Sequence, residues 1–182
     1  MAEFPPERID AGDFLLRRTR LDDAQLIADT VAANLARLSV WMVWAVTAAG
    51  TVPEQRRRIV RTVANWDAGT SFQYLALHTD TGAHLGIFGL ERRIGDRALE
   101  LGYWLAEDAT GYGYATGAAR ILTETALDLS DIDRVEIHCD AANLRSLLVP
   151  RRLGYRLDRI EEDDPQTPGE SGRSMIWIRS RP

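Results

Sequence analysis

The chain contains no lysine: all 22 of its basic residues are arginine. The phosphate loop G-x-x-x-x-G-K-[ST] needs a lysine to reach the nucleotide's terminal phosphates, so a nucleoside-triphosphate site of that kind is excluded. There is one cysteine, Cys139, and therefore no internal disulfide. No apolar run approaches the ~20 residues of a membrane span. The opening Met1-Ala2-Glu3-Phe4-Pro5-Pro6 has neither the basic flank nor the apolar stretch of a signal peptide. These absences predict a cytoplasmic protein that engages no membrane. No spacing of His, Cys and Asp resembles a metal site, and no metal is expected. Repeats and low-complexity tracts are also missing, so the 182 residues are expected to form one domain, 1–182, long enough to bury a real core. The net charge of −5 argues against nonspecific nucleic-acid binding and favours a cationic acceptor such as an amine.

What is present reads as alternating elements. Asp13 to Thr19 predicts a strand, and Leu21 to Leu38 a helix with Ile27, Val31, Leu35 and Leu38 on one face. Thr51-Val52-Pro53-Glu54 has the form of a capping box opening a second helix that buries Ile59, Val63 and Trp66. Ser71 to His78 and His84 to Arg92 flank Asp80-Thr81-Gly82 as a hairpin, with His78 and His84 expected in solvent. After Tyr155 come another strand, a proline-rich loop from Asp163 to Gly169, and a closing strand from Ser174 to Arg179. The order is β-α-α-β-β-β-α-β-α-β-β, an α/β fold on a mixed sheet.

The most informative stretch is Leu99 to Tyr155. A strand (Leu99 to Leu105) runs into Thr110-Gly111-Tyr112-Gly113-Tyr114-Ala115-Thr116 and then a helix to about Leu129. A glycine turn between strand and helix presents bare N–H groups at the positive end of a helix dipole, which suits a phosphate. Gly111, Gly113 and Gly117 also spell a loose dinucleotide fingerprint. That fingerprint belongs to the first strand of a βαβ unit, whereas here an antiparallel hairpin precedes it. A second strand (Val135 to Cys139) is followed by Asn143-Leu144-Arg145-Ser146, opening a short helix that stops at Gly154-Tyr155. Asn143 and Ser146 lie three apart and share a helix side.

Thr110 to Ala115 resembles the [QR]-x-x-G-x-[GA] pyrophosphate loop of the GNAT N-acyltransferase superfamily, with Thr110 where Gln or Arg is usual. Ala98 to Leu105 resembles the strand before that loop, and Asn143-x-x-Ser146 with Leu153-Gly154-Tyr155 resembles the block after it. Leu15-Leu16-Arg17 and Trp41-Met42-x-Trp44 resemble the RimJ/RimL branch, which acetylates ribosomal-protein N-termini. The resemblance implies the GNAT fold, acetyl-CoA as co-substrate, and an amine acceptor. The leading acceptor is a protein N-terminal amine. A small amine (antibiotic or polyamine) and a CoA-binding protein without turnover are the alternatives, and a homodimer stays open. It also implies roles. Backbone N–H groups from Trp104, Leu105 and Ala106 polarise the thioester carbonyl. The loop Thr110, Gly111, Tyr112, Gly113, Tyr114, Ala115 and Thr116 holds the pyrophosphate, and Asn143 contacts CoA. Ser146 meets the leaving thiolate, because the tyrosine that many members carry four residues later is Pro150 here. Glu100 is a candidate base, with Glu161 and Glu162 as alternatives. Trp41 and Trp44 either pack the core or wall the acceptor slot. His138, on the strand beside the proposed cleft, reads first as an ordinary strand histidine and second as a proton shuttle near neutral pH.

Overall fold

A computed structural model describes residues 3–181. The strands are β1 (Arg8–Asp10), β2 (Phe14–Arg18), β3 (Ser71–His78), β4 (His84–Glu91), β5 (Ala98–Leu105), β6 (Arg134–Asp140), β7 (Arg156–Glu162) and β8 (Arg173–Ser180). The α-helices are α1 (Ala24–Leu38), α2 (Val52–Asp67), α3 (Tyr114–Asp128) and α4 (Leu144–Arg152). All eight strands join one sheet in the order β1-β2-β3-β4-β5-β6-β8-β7. Only β5 and β6 run parallel; every other pairing is antiparallel. A parallel pair needs a crossover, and α3 supplies it.

The sequence order is recovered with one strand added in front, β1. Its three residues carry a single apolar side chain, the half-buried Ile9, too little for a periodicity to announce it. Strand alternation sorts the remaining side chains to two faces. On one face, Ile27 and Val31 of α1 and Ile59 of α2 pack against Leu75, Leu77, Ile87 and Trp104. On the other, Ala118, Ala119 and Leu122 of α3 and Leu147 of α4 cover Leu99, Leu101, Val135 and Ile137. Trp66 is buried as expected, edge-on to Phe72 and Tyr74 with centroids 5.3 and 5.1 Å away.

Two local expectations are corrected. The capping box does not form: the Thr51 hydroxyl donates back to the Ala48 carbonyl at 2.7 Å, and Glu54 is taken by Arg57 and Arg58. His84 is buried, not solvated, edge-on to Trp104 at 5.5 Å, because β4 begins one residue before the apolar run and carries it inward. Burial pushes its pKa down to about 4, so the ring is neutral at pH 7.

Candidate active site

Strand β5 pairs with β4 over six residues, from Gly86 opposite Leu105 to Glu91 opposite Glu100. With β6 it pairs over three only, ending where Glu100 faces Glu136. Beyond that point the two parallel strands part, and a cleft of about 780 Å³ opens there. Ala106 N–H donates to the Leu85 carbonyl at 2.8 Å, on the β4 side. Alternation therefore turns the Leu105 amide to the opposite edge, toward the gap. Of the three residues expected to polarise a carbonyl, Ala106 has no N–H to spare. The Leu105 carbonyl is held by the Arg37 guanidinium from α1.

The α3/α4 face of the gap carries hydroxyls and open amides. Asn143 caps α4, its Oδ1 accepting the Ser146 N–H at 3.1 Å. Pro150, inside α4, lacks the N–H that would bond the Ser146 carbonyl four residues back. The Tyr103 hydroxyl from β5 takes that place, 3.3 Å from the Ser146 carbonyl and 3.4 Å from Ser146 Oγ. Burial pushes the Tyr103 pKa up, so the phenol stays protonated. Burial likewise pushes the Cys139 thiol up to about 11, which argues against a thiolate nucleophile.

Above this face lies the glycine loop. Gly111 and Gly113 have φ of +90° and +86°, a region that side chains rarely enter. Gly113 is the N-cap of α3 and no side chain caps the helix. The first N–H groups of a 15-residue helix are thus left for a ligand. Thr110 turns its hydroxyl to the Glu107 carbonyl at 2.7 Å, closing the turn that feeds the loop. Tyr112 is 74% exposed.

The α1/α2 face is acidic and aromatic. Glu91, Glu100 and Glu136 are register partners across β4, β5 and β6 and so form one row. Both Glu100 oxygens are engaged by Arg93, at 2.7 and 2.8 Å. Glu136, with its side chain 3% exposed, accepts from Arg134 at 2.7 Å and pairs with His138 Nε2 at 2.8 Å. Burial opposes its charge, but Arg134 and His138 win and hold its pKa below the ordinary range. Trp104 faces Trp44, with ring centroids 6.0 Å apart, and the Arg58 guanidinium lies 5.2 Å over Trp44. The β7–β8 loop closes the far wall: Gly169 N–H donates to the Val40 carbonyl at 2.9 Å, beside Trp41.

Trp41, Trp44, Glu100, Trp104, Asn143 and Ser146 therefore line one cleft. Glu161 and Glu162 do not line it; they are exposed on β7, Glu161 paired with Arg159 at 2.6 Å. Trp41 and Trp44 follow the end of α1 in a turn and are not on one helical face. Sequence reasoning missed Tyr103, Arg37 and the Glu136–His138 pair. Alternation alone offered the signal, since Glu136 and His138 share a strand face two residues apart. Among the described residues, no group of three His, Cys, Asp or Glu is placed to hold a metal.

Comparison with known proteins agrees with this geometry. A family model described as "Acetyltransferase (GNAT) domain" matches residues 13–156. A Bacillus subtilis (strain 168) protein named "Putative ribosomal N-acetyltransferase YdaF" is 27% identical over 141 residues, 73% of this chain and 72% of that protein. The solved structure of RimL, a ribosomal L7/L12 alpha-N-protein acetyltransferase in complex with coenzyme A, superposes with a TM-score of 0.86 at 22% identity, over 96% of this chain and 98% of that one. The microcin C7 self-immunity acetyltransferase MccE, in complex with acetyl-CoA and AMP, superposes with a TM-score of 0.88 at 18% identity, over 97% of each chain. With the glycine loop, the parted strands and the matched family model together, the chain belongs to the GNAT acetyltransferase family.

Proposed function

We propose that this protein transfers the acetyl group of acetyl-CoA to a protein N-terminal amine. The observation that carries the reading is the parting of β5 from β6 just beyond Glu100 and Glu136. It leaves a passage through the sheet with chemically different mouths. The uncapped N-terminus of α3 follows the C-terminal end of β5 on the face that carries Ser146, and an acidic, aromatic wall lines the other face. A thioester reaching in from the loop side presents its carbonyl near the Leu105 N–H and its sulfur near Ser146, while an amine comes from the tryptophan side. The loop from Thr110 to Thr116 holds the pyrophosphate, Asn143 orients CoA, and Trp41 and Trp44 border the acceptor.

The amine attacks the carbonyl carbon, a C–N bond forms, and the C–S bond breaks. Leu105 N–H stabilises the oxyanion. Ser146, steadied by Tyr103, hydrogen-bonds the departing thiolate. Glu100, held by Arg93, belongs to the acidic row that faces a cationic acceptor. One domain, 1–182, carries the reaction, and cytoplasmic location and homodimer formation belong to the same proposal. Among the described residues no helix is long and apolar enough to cross a membrane. The preference for a protein acceptor rests on the names of YdaF and RimL. It is tested by thiol release from acetyl-CoA with peptides bearing free N-termini against polyamines and aminoglycosides. Faster turnover of the small amines overturns the acceptor. No turnover with any amine, alongside CoA binding, leaves a binding protein.

A further inference from the structure

Proton removal from the attacking amine has no owner in the arrangement above. Both Glu100 oxygens are engaged by Arg93, and the two Glu136 oxygens by Arg134 and His138. Asp140 is consumed by Ala142 N–H and Ser171, and Glu170 by the N–H groups of Gln166 and Thr167. Glu91 is on β4, on the far side of Glu100 from the gap. Asp163 and Asp164 stand in the cleft wall but on an exposed loop, both open to solvent, with Asp163 Oδ1 accepting the Asp164 N–H.

One side chain stands on the rim with a free lone pair. His138 is the first residue of β6 beyond the last pairing with β5 on the acidic face. It lines the cleft and is half-buried. Its Nε2 lies 2.8 Å from Glu136 Oε2. The Glu136 carboxylate is ionised, so Nε2 carries the hydrogen and donates it, and Nδ1 of the neutral ring is left as an acceptor. No group among the described residues hydrogen-bonds Nδ1. Across the gap the matching position of β5 is Gly102, whose missing side chain leaves open space with nothing within 4 Å. That vacancy admits a primary amine beside the imidazole. Ser146 and Tyr103 are on the opposite face, where the thiolate departs.

Resting on the acetyl-transfer reading, we propose that His138 takes the proton of the attacking amine and that buried Glu136 is its positioning residue. The amine nitrogen gives its electron pair to the carbonyl carbon, one N–H proton passes to Nδ1, and the C–S pair leaves with sulfur. The imidazolium is held against the Glu136 carboxylate until its proton goes to solvent or to the thiolate. An acceptor that arrives as an ammonium loses its first proton to the same nitrogen, which passes it to solvent before the attack and is free to take the second. The charged groups facing His138 are Glu136 and Asp140 on its own strand, and the Glu100–Arg93 pair from β5 and its approach. Arg159 lies two strands away through Ile176, and Arg58, Asp163, Asp164 and Glu170 stand in the cleft wall.

The test is the pH profile of kcat/KM for thiol release, with the CoA-induced rise in melting temperature measured in parallel. His138→Gln should lower kcat/KM by about 100-fold or more on the wild-type plateau, within the usual range for one proton-transfer group. The deficit should narrow toward high pH, where an N-terminal amine arrives deprotonated, above about pH 8. The CoA shift should be unchanged. In Glu136→Gln the imidazolium loses its counter-ion, so the acid limb should move to lower pH. Added imidazole should restore turnover to His138→Ala, which keeps the experiment decisive if Glu136→Gln fails to fold. A His138→Gln enzyme with the wild-type acid limb overturns the proposal. So does a loss of equal size at every pH with no imidazole rescue, which marks a structural role. Wild-type protein that binds CoA but releases no thiol with any amine sinks the acetyl-transfer reading and this proposal together.

Discussion

The two faces of the parted strands are built differently. The cofactor face comes from one continuous stretch, Tyr103 to Ser146, and works mainly through backbone: an open helix end, two left-handed glycines, a capped short helix, with the Ser146 and Tyr103 hydroxyls added. The acceptor face is collected from α1, α2, five strands and three loops, and works through side chains: a carboxylate row, two tryptophans and a histidine. Backbone sites tolerate variation in side chains, because any residue supplies an N–H. Side-chain sites do not. The difference teaches where a common cofactor and a particular acceptor are each recognised, and damage to one face should leave the other intact.

The sharpest break is Gly113→Glu. A side chain at φ +86° is strained, and its carboxylate would sit in the phosphate's place. CoA at 100 times its Kd stabilises by about 2.7 kcal/mol; this variant should lose that stabilisation entirely in a melting assay. A surviving shift would detach the loop from CoA.

Acid should strike the acceptor face. His84 supports Trp104, and its folded pKa of about 4 is below the unfolded 6.5. The unfolded chain takes the proton first, so the stability this group contributes is whole above about pH 6.5 and is lost as pH falls toward 4. The displacement corresponds to about 3 kcal/mol. Denaturant titrations at pH 7 and pH 4 measure it, and His84→Gln should flatten that part of the curve.

Ser146→Ala should cut kcat by roughly 10- to 100-fold with little change in the KM for acetyl-CoA. Unchanged kcat at saturating acceptor removes the hydroxyl from the mechanism. Trp44→Ala, which deletes the contact with Trp104, should raise the acceptor KM by about 10-fold and spare CoA binding, an aromatic pair being worth about 1 kcal/mol beyond its area. If the protein unfolds instead, Trp44 belongs to the core. The smallest effect expected is on salt. With a Debye length of about 10 Å at 0.1 M, kcat/KM for basic peptides should fall a few-fold as salt rises, while neutral-flanked ones hold steady. Equal responses would remove electrostatic selection by the acidic wall.

This division also explains what could be read in the sequence. Asn143, Ser146 and the glycine loop were legible because their spacing is local: three residues on a helix, two glycines around a turn. The strand order was legible from alternation, except β1, whose three residues offer only Ile9 to the core. Glu100 was found by position, but its engagement by Arg93 depends on a turn geometry that periodicity does not encode. His138 was read first as an ordinary strand residue and only second as a proton shuttle, because its place at the gap depends on where β5 stops pairing, a tertiary event. Tyr103 was hidden by the same logic, since nothing in Leu101-Gly102-Tyr103 announces a helix carbonyl in need of a donor.

That carbonyl links two distant positions. Pro150 withholds an amide from Ser146 within helix α4, and Tyr103 answers it from strand β5, 47 places before the proline. An alanine at 150 would return the amide and compete with the phenol. A phenylalanine at 103 would strand the carbonyl that proline exposes. Neither substitution can be judged alone, and their effects should not add. Residues 103 and 150 are one heritable unit, to be exchanged together or not at all when the leaving-group end of the cleft is compared or redesigned.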